Sequence, residues 1–217
     1  MRIITTRTLA VVALAAIVGA TLTTGGTGAA LTGGAGKAPR GLVASLESGA
    51  GVSLGTVRFI PTDDGKVSVR ITASGLTPGF HGFHVHTTGI CDPEAVDTVG
   101  NPVPFFTAGG HYNPETTNTH GVHAGDMTPL LVMADGTASL KFKTDRFTTK
   151  ELVDGDGSAV ILHASPDNLA HIPGTTATGA ERYHSHVDDV MGADAATKAT
   201  GDAGARFGCG VVERFTP

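Results

Sequence analysis

From residue 41 onward the chain alternates apolar and polar positions over short distances and breaks at turn residues. Val67, Val69 and Ile71 alternate with Ser68, Arg70 and Thr72, the two-residue period of a strand with one buried face. Segments 54–60 and 66–73 flank the run PTDDG, where Asp64-Gly65 suits a tight hairpin turn. A second hairpin is predicted from 130–134 and 137–143, turning at Asp135-Gly136, and segments 158–164 (SAVILHA) and 210–215 (GVVERF) read as further strands. No segment carries a sustained amphipathic helical repeat. Seven or eight short strands separated by Gly and Pro turns predict one all-β domain, an antiparallel sandwich or barrel. Two stretches, about 87–128 and 164–208, do not fit this rhythm. Loops beyond about 15 residues are uncommon unless they serve a function or are disordered. Both are bordered by histidines, so they are expected to build a site.

Composition and the N-terminus narrow the setting. Arg2 and Arg7 precede an apolar run over 9–20 and then small residues up to Ala29 and Ala30, the layout of a secretory signal peptide. The expected organisation is a signal peptide at 1–30, a flexible Gly-rich lead-in at 31–39 and one domain at 40–217. An uncleaved N-terminal anchor is the alternative, although the run falls short of the ~20 residues that span a bilayer. No later stretch approaches that length, so no stable membrane insertion is expected after cleavage. A net charge of -5 without any basic run excludes nucleic acid as a partner. Export to an oxidising compartment lets Cys91 and Cys209, the two cysteines of the chain, form a disulfide. Two free thiols are the alternative.

The ten histidines carry the chemistry. In HGFHVH, residues 81–86, a strand would project His84 and His86 from one face and Val85 from the other. Two imidazoles on one rigid face are half of a metal site. In 109–126, His111, His120 and His123 stand with Asp126, the last three at three-residue spacing. Three imidazoles and a carboxylate form a four-coordinate donor set suited to Zn²⁺. His163 ends the apolar run VILH and is the further imidazole available to the first pair.

Five segments together, GFHGFHVHTTGIC, TAGGHYNP, HAGD, VILHASPDN and TGDAGARFGCGVV, closely resemble the copper/zinc superoxide dismutases. The resemblance runs in order over about residues 40–217. It implies an antiparallel Greek-key β-sandwich or barrel of about eight strands, immunoglobulin-like in architecture, with two long site-building loops. It also implies copper on His84, His86, His111 and His163, and zinc on His111, His120, His123 and Asp126, with His111 shared. Asp167 matches the carboxylate that bridges a copper histidine and a zinc histidine. Cys91 and Cys209 match the family disulfide, His81 matches a structural histidine, and Arg206 matches the guanidinium that receives the anionic substrate. The implied reaction takes two superoxide anions and two protons to O₂ and H₂O₂, with His111 delivering a proton. Two departures stand out. His120 and His123 are only three residues apart, where animal members insert a longer loop. The segment from His163 to Arg206 is long and carries His171, His184 and His186, read as solvated, with a surface metal site as the alternative.

The rival function is an exported copper-binding or copper-delivery protein on the same fold without dismutase activity. Arg206 discriminates, because a carrier has no need of a guanidinium above an open copper position. A copper-only dismutase conflicts with the intact zinc ligands. Expected locations are periplasmic, cell-wall associated or freely extracellular. A homodimer and a monomer both stand open.

Overall fold

The computed structural model describes residues 41–215 of the 217. The signal peptide and lead-in expected at 1–30 and 31–39 lie outside the described residues. Eleven strands appear in chain order: β1 (Leu42–Ser48), β2 (Ser53–Pro61), β3 (Val67–Ala73), β4 (Gly79–His81), β5 (Phe83–His86), β6 (Leu130–Val132), β7 (Ala138–Thr144), β8 (Ala159–His163), β9 (His184–Ser185), β10 (Val190–Met191) and β11 (Arg206–Arg214). Seven of them form one antiparallel sheet in the order β5-β8-β11-β1-β2-β3-β7, and β4 pairs with β6 in a small second sheet. The architecture is the all-β antiparallel Greek-key expected, and β2 and β3 form the hairpin that turns at Asp64-Gly65. The turn at Asp135-Gly136 also forms, but the hairpin expected there does not extend into a ladder: β6 pairs with β4 and β7 with β3, so the turn carries the chain from the small sheet to the large one.

The strand count exceeds the expected eight partly because the HGFHVH run is divided. At Gly82 the chain leaves β6 and joins β8: the Gly82 N–H donates to Ser165 O at 2.9 Å, and Gly82 O accepts from His163 N–H at 2.9 Å. His81 and His84 therefore stand on separate short strands.

Period-two alternation gives β5 and β8 two different faces. Phe83, Val85, Val160 and Leu162 point into the main core with Leu46, Val57, Phe59 and Ile71. The opposite face carries His84 and His86 on β5, and Ile161 and His163 on β8. There Ala159 and Ile161 pack with Phe105, Ala108 and Cys209 in a second apolar cluster. β8 is buried along its whole length, which is why its sequence reads as a continuous apolar run rather than as an alternation.

The stretch 164–208 holds more structure than its sequence announces. It contains the β9–β10 hairpin and one helix, α1 (Ala195–Thr200). Asp194 caps α1 by accepting the Thr197 N–H at 2.8 Å, and Gly201 closes it in the left-handed region. Six residues are too few to display a helical period, so the local pattern gave no warning. No helix of the described residues is long and apolar enough to cross a membrane.

Candidate metal centre

Six histidines converge on the outer face of β5 and β8, and five of them, all but His123, have a ring nitrogen held by a protein oxygen. His86 Nδ1 donates to Gly109 O at 2.9 Å, and His163 Nδ1 donates to Gly204 O at 3.0 Å. The Asp167 carboxylate accepts from His84 Nε2 at 2.7 Å and from His120 Nε2 at 2.8 Å. These bonds fix the ring orientations and the tautomers. They also leave bare lone pairs: His84 Nδ1, His86 Nε2 and His163 Nε2 are buried without a hydrogen-bond partner, and so is His123 Nδ1. Four buried imidazole nitrogens without partners are costly unless cations meet them.

The donor atoms group in two overlapping sets. Those of His84, His86, His111 and His163 lie within 4.8 Å of one another, as do those of His84, His111, His120 and Asp126. The first set coincides with the four residues read as copper ligands. The second contains three of the four read as zinc ligands. His84 joins it because its ring centroid lies 4.0 Å from that of His111. His123 stands beside it, with Nδ1 3.4 Å from Asp126 Oδ1. The same Asp126 oxygen lies 2.9 Å from His111 Nδ1 and 3.1 Å from His120 Nδ1. Three Nδ1 atoms and one carboxylate oxygen thus share one point of approach, a nitrogen and oxygen set that fits a tetrahedral cation. The residues present fit both metals.

Burial sets the charge states of the rings. It pulls the imidazole of His163 down to about 3 and that of His111 to about 4, and it lowers His84 and His86 as well. At neutral pH these rings are unprotonated, as a metal requires of its ligands. His120 moves the other way. Burial opposes its charge, but hydrogen bonds to Asp126 and Asp167 outweigh that and raise it to about 9. Both carboxyls also resist burial, which would raise them. Hydrogen bonds from His111 and His120 hold Asp126 well below the carboxylate range, and those from His120 and His84 do the same for Asp167.

Arg206 opens β11 directly opposite His163 in register. Its guanidinium is half-buried, donating to Phe105 O at 2.5 Å and to Gly109 O at 2.7 Å. Gly109 O thus orients both the His86 ring and Arg206. Arg206, His86, His111 and His163 line one cleft together with Thr200 and Asp202, so a fixed positive charge faces the bare nitrogens across open space. Cys91 and Cys209 are joined, with Cα atoms 5.7 Å apart.

His81 takes no part in this. Its Nδ1 lies 2.8 Å from His163 O and its Nε2 2.7 Å from Thr77 O, so both nitrogens face carbonyl oxygens. His184 sits between Glu181 and Asp189 at 2.8 and 3.0 Å. Neither it nor His171 or His186 belongs to a metal-capable group among the described residues. The carbonyls of Gly109 and Gly204 and the close approach of Gly201 to His120 were not legible in the sequence. Main-chain acceptors leave no residue-type signal.

Residues 53–212 match the family model for copper/zinc superoxide dismutase. The "Superoxide dismutase [Cu-Zn]" of Mycolicibacterium paratuberculosis is 41% identical over 170 residues, covering 77% of this chain and 71% of that protein. That of Photobacterium leiognathi is 36% identical over 169 residues, covering 75% and 80%. Among solved structures, the Cu/Zn superoxide dismutase from Brucella abortus aligns with a TM-score of 0.57 at 26% identity, over 80% of this chain and 99% of that one.

Proposed function

The chain belongs to the copper/zinc superoxide dismutase family, and from that membership we infer that the buried histidine cluster is its dismutation centre. It is an oxidoreductase that uses copper and zinc and converts two superoxide anions and two protons to O₂ and H₂O₂. The reading of a copper carrier finds no support in its relatives.

In this reading His84, His86, His111 and His163 would hold copper, while His111, His120, His123 and Asp126 would hold zinc. Copper supplies the one-electron exchange with superoxide, and zinc, which has no redox chemistry, braces the loop and the shared ring. The observation that carries the assignment is that the donor atoms of His84, His86, His111 and His163 lie within 4.8 Å of one another while three of these residues each have a buried nitrogen without a partner. Arg206 draws the anion into the cleft and orients it, since a guanidinium stays charged and offers directed donors. Asp126 holds the Nδ1 side of His111. Nε2 of the same ring would carry a proton only while it is not bonded to copper, and would pass that proton to the peroxide product. Asp167 keeps the His84 and His120 rings from rotating.

The Cys91–Cys209 bond supports export, because such bonds rarely persist in a reducing cytosol. We place the active chain outside the cytoplasmic membrane, with 1–30 removed as a signal peptide and 40–217 forming the catalytic domain.

The deciding experiment measures metal content and superoxide-dependent activity of the mature protein and of Arg206→Ala. About one copper and one zinc per chain are expected in both. Activity of the variant should fall by at least about tenfold, the scale of losing one charged group that guides a substrate anion. Equal activity in the two proteins removes Arg206 from its role, and copper without activity in the parent overturns the whole assignment.

A further inference from the structure

The turn that carries His120 and His123 has only Gly121 and Val122 between them. A turn so short has little packing of its own to hold two imidazoles at fixed angles. Local bonds run from Val122 N–H to Thr119 O at 3.0 Å and from Asp126 N–H to His123 O at 3.2 Å, and His120 N–H donates to Lys198 O at 2.7 Å. Besides these, its polar backbone groups are taken up by two side chains. Asp126 Oδ2 accepts the Gly121 N–H at 2.6 Å and the His123 N–H at 3.0 Å. On the carbonyl side, Arg146 Nη1 donates to His123 O at 3.1 Å, and both Nη1 and Nη2 lie 3.3 Å from Gly121 O. Gly121 has φ +89°, and a Cβ there would stand 2.8 Å from Leu169 O, so the turn is also pressed from the long final loop.

Arg146 is well placed to act as a clamp. It follows the end of β7, its N–H donates to Thr144 Oγ1 at 3.2 Å, and the next residue, Phe147, is buried edge-on against Phe59 at 6.0 Å. Its base is therefore tied to the end of β7, while its planar fork reaches two carbonyls of the turn. A guanidinium is suited to this because several donors leave one plane in fixed directions, with less freedom lost per bond than for an ammonium. Other demands on this side chain are absent among the described residues: it appears in no ion pair and on no aromatic ring.

We propose that Arg146 is a positioning residue for the zinc site, a guanidinium clamp from the β7 side that substitutes for the missing length of the His120–His123 turn. It touches neither metal nor substrate and acts through the backbone of the two ligands. The inference rests on the assignment of zinc to His111, His120, His123 and Asp126.

The test follows release of zinc and of copper from the loaded full-length protein into an excess of a chromophoric chelator. Four proteins are compared: the parent, Arg146→Met, Arg146→Lys and His123→Ala. Arg146→Met should release zinc about tenfold faster than the parent, the lower end of the range for groups that support metal ligands. Arg146→Lys should fall between them, because an ammonium keeps the charge and loses the fork. Copper release should stay at the parental rate in both. Parental zinc release from Arg146→Met, beside fast release from His123→Ala, overturns the clamp and leaves the zinc assignment standing. Equal acceleration of copper and zinc also overturns it, since that marks general loosening. Parental zinc release from His123→Ala brings down the zinc assignment, and the clamp with it.

Discussion

At Gly201 the backbone turns left-handed, with φ 62°, directly against the ring of His120 and the carboxylate of Asp167. A Cβ at this position would overlap both Asp167 Oδ1 and His120 Nε2, and a left-handed φ adds strain for any residue with a side chain. Gly201→Ala is therefore expected to push Asp167 off at least one of the two rings it holds. Since one carboxylate orients His84 and His120 together, both metals should be retained less tightly. A fall of about tenfold in zinc affinity is expected, with activity reduced in step; titration of each metal with a competing chelator reads it. Unaltered affinities would show that the carboxylate can bridge the rings from a displaced position. At this scale the clustered histidines and Asp126 were legible in the sequence, and the family resemblance gave each a proposed role. The oxygens that orient the rings were legible only in part: Asp167, which holds His84 and His120, is a side chain within VILHASPDN, whereas the Gly109 and Gly204 carbonyls that hold His86 and His163 are main-chain atoms common to every residue type.

Strands and helices place those side chains, and here the local pattern succeeds unevenly. His84 and His86 project together because a strand repeats every two residues, which could be read from HVH alone. The break at Gly82 could not, since it depends on β4 and β5 pairing with different partners. Helix α1 was equally hidden, yet its C-terminal glycine forms one wall of the site. Its start depends on the Asp194 side chain, whose pKa lies below the ordinary carboxyl value, first through the Thr197 backbone N–H and then through Ser185. A group with a lowered folded pKa stabilises the fold fully above its unfolded value of ~3.9. That contribution disappears as pH drops through the lower folded value. Asp194→Ala should therefore melt below the parent at pH 6, and the gap between them should close as pH is taken from about 4 downward. Thermal unfolding across that range checks it, and a constant gap would mean that capping by the ionised carboxylate is not what Asp194 contributes.

Over the whole molecule, the site exists because segments far apart in the chain meet on one side of the sheet. β5 supplies His84 and His86, the first long loop supplies His111 to Asp126, β8 supplies His163, the second long loop supplies Asp167, and β11 supplies Arg206. The Cys91–Cys209 bond, spanning 118 residues, ties the first loop to β11 next to Phe105, whose carbonyl holds Arg206. Replacing both cysteines by serine should destabilise the fold by up to ~4.7 kcal/mol on loop-entropy grounds. Activity should be lost at a lower denaturant concentration than global unfolding, because the Arg206 anchor is released first. Coincident loss of activity and structure would show that the loop and the sheet unfold as one unit. From sequence alone came the all-β class, the hairpin at Asp64-Gly65, the turn at Asp135-Gly136 and the histidine-bordered loops, because turn chemistry and strand period are local properties of residues. The resemblance of five motifs supplied the proposed ligand set. Sheet order, the split strand, the short helix, the carbonyls that aim His86 and His163 and the reach of Arg146 to the His120–His123 turn were decided only by the tertiary structure. They are relations between distant parts of the backbone, and no residue encodes them by its identity alone.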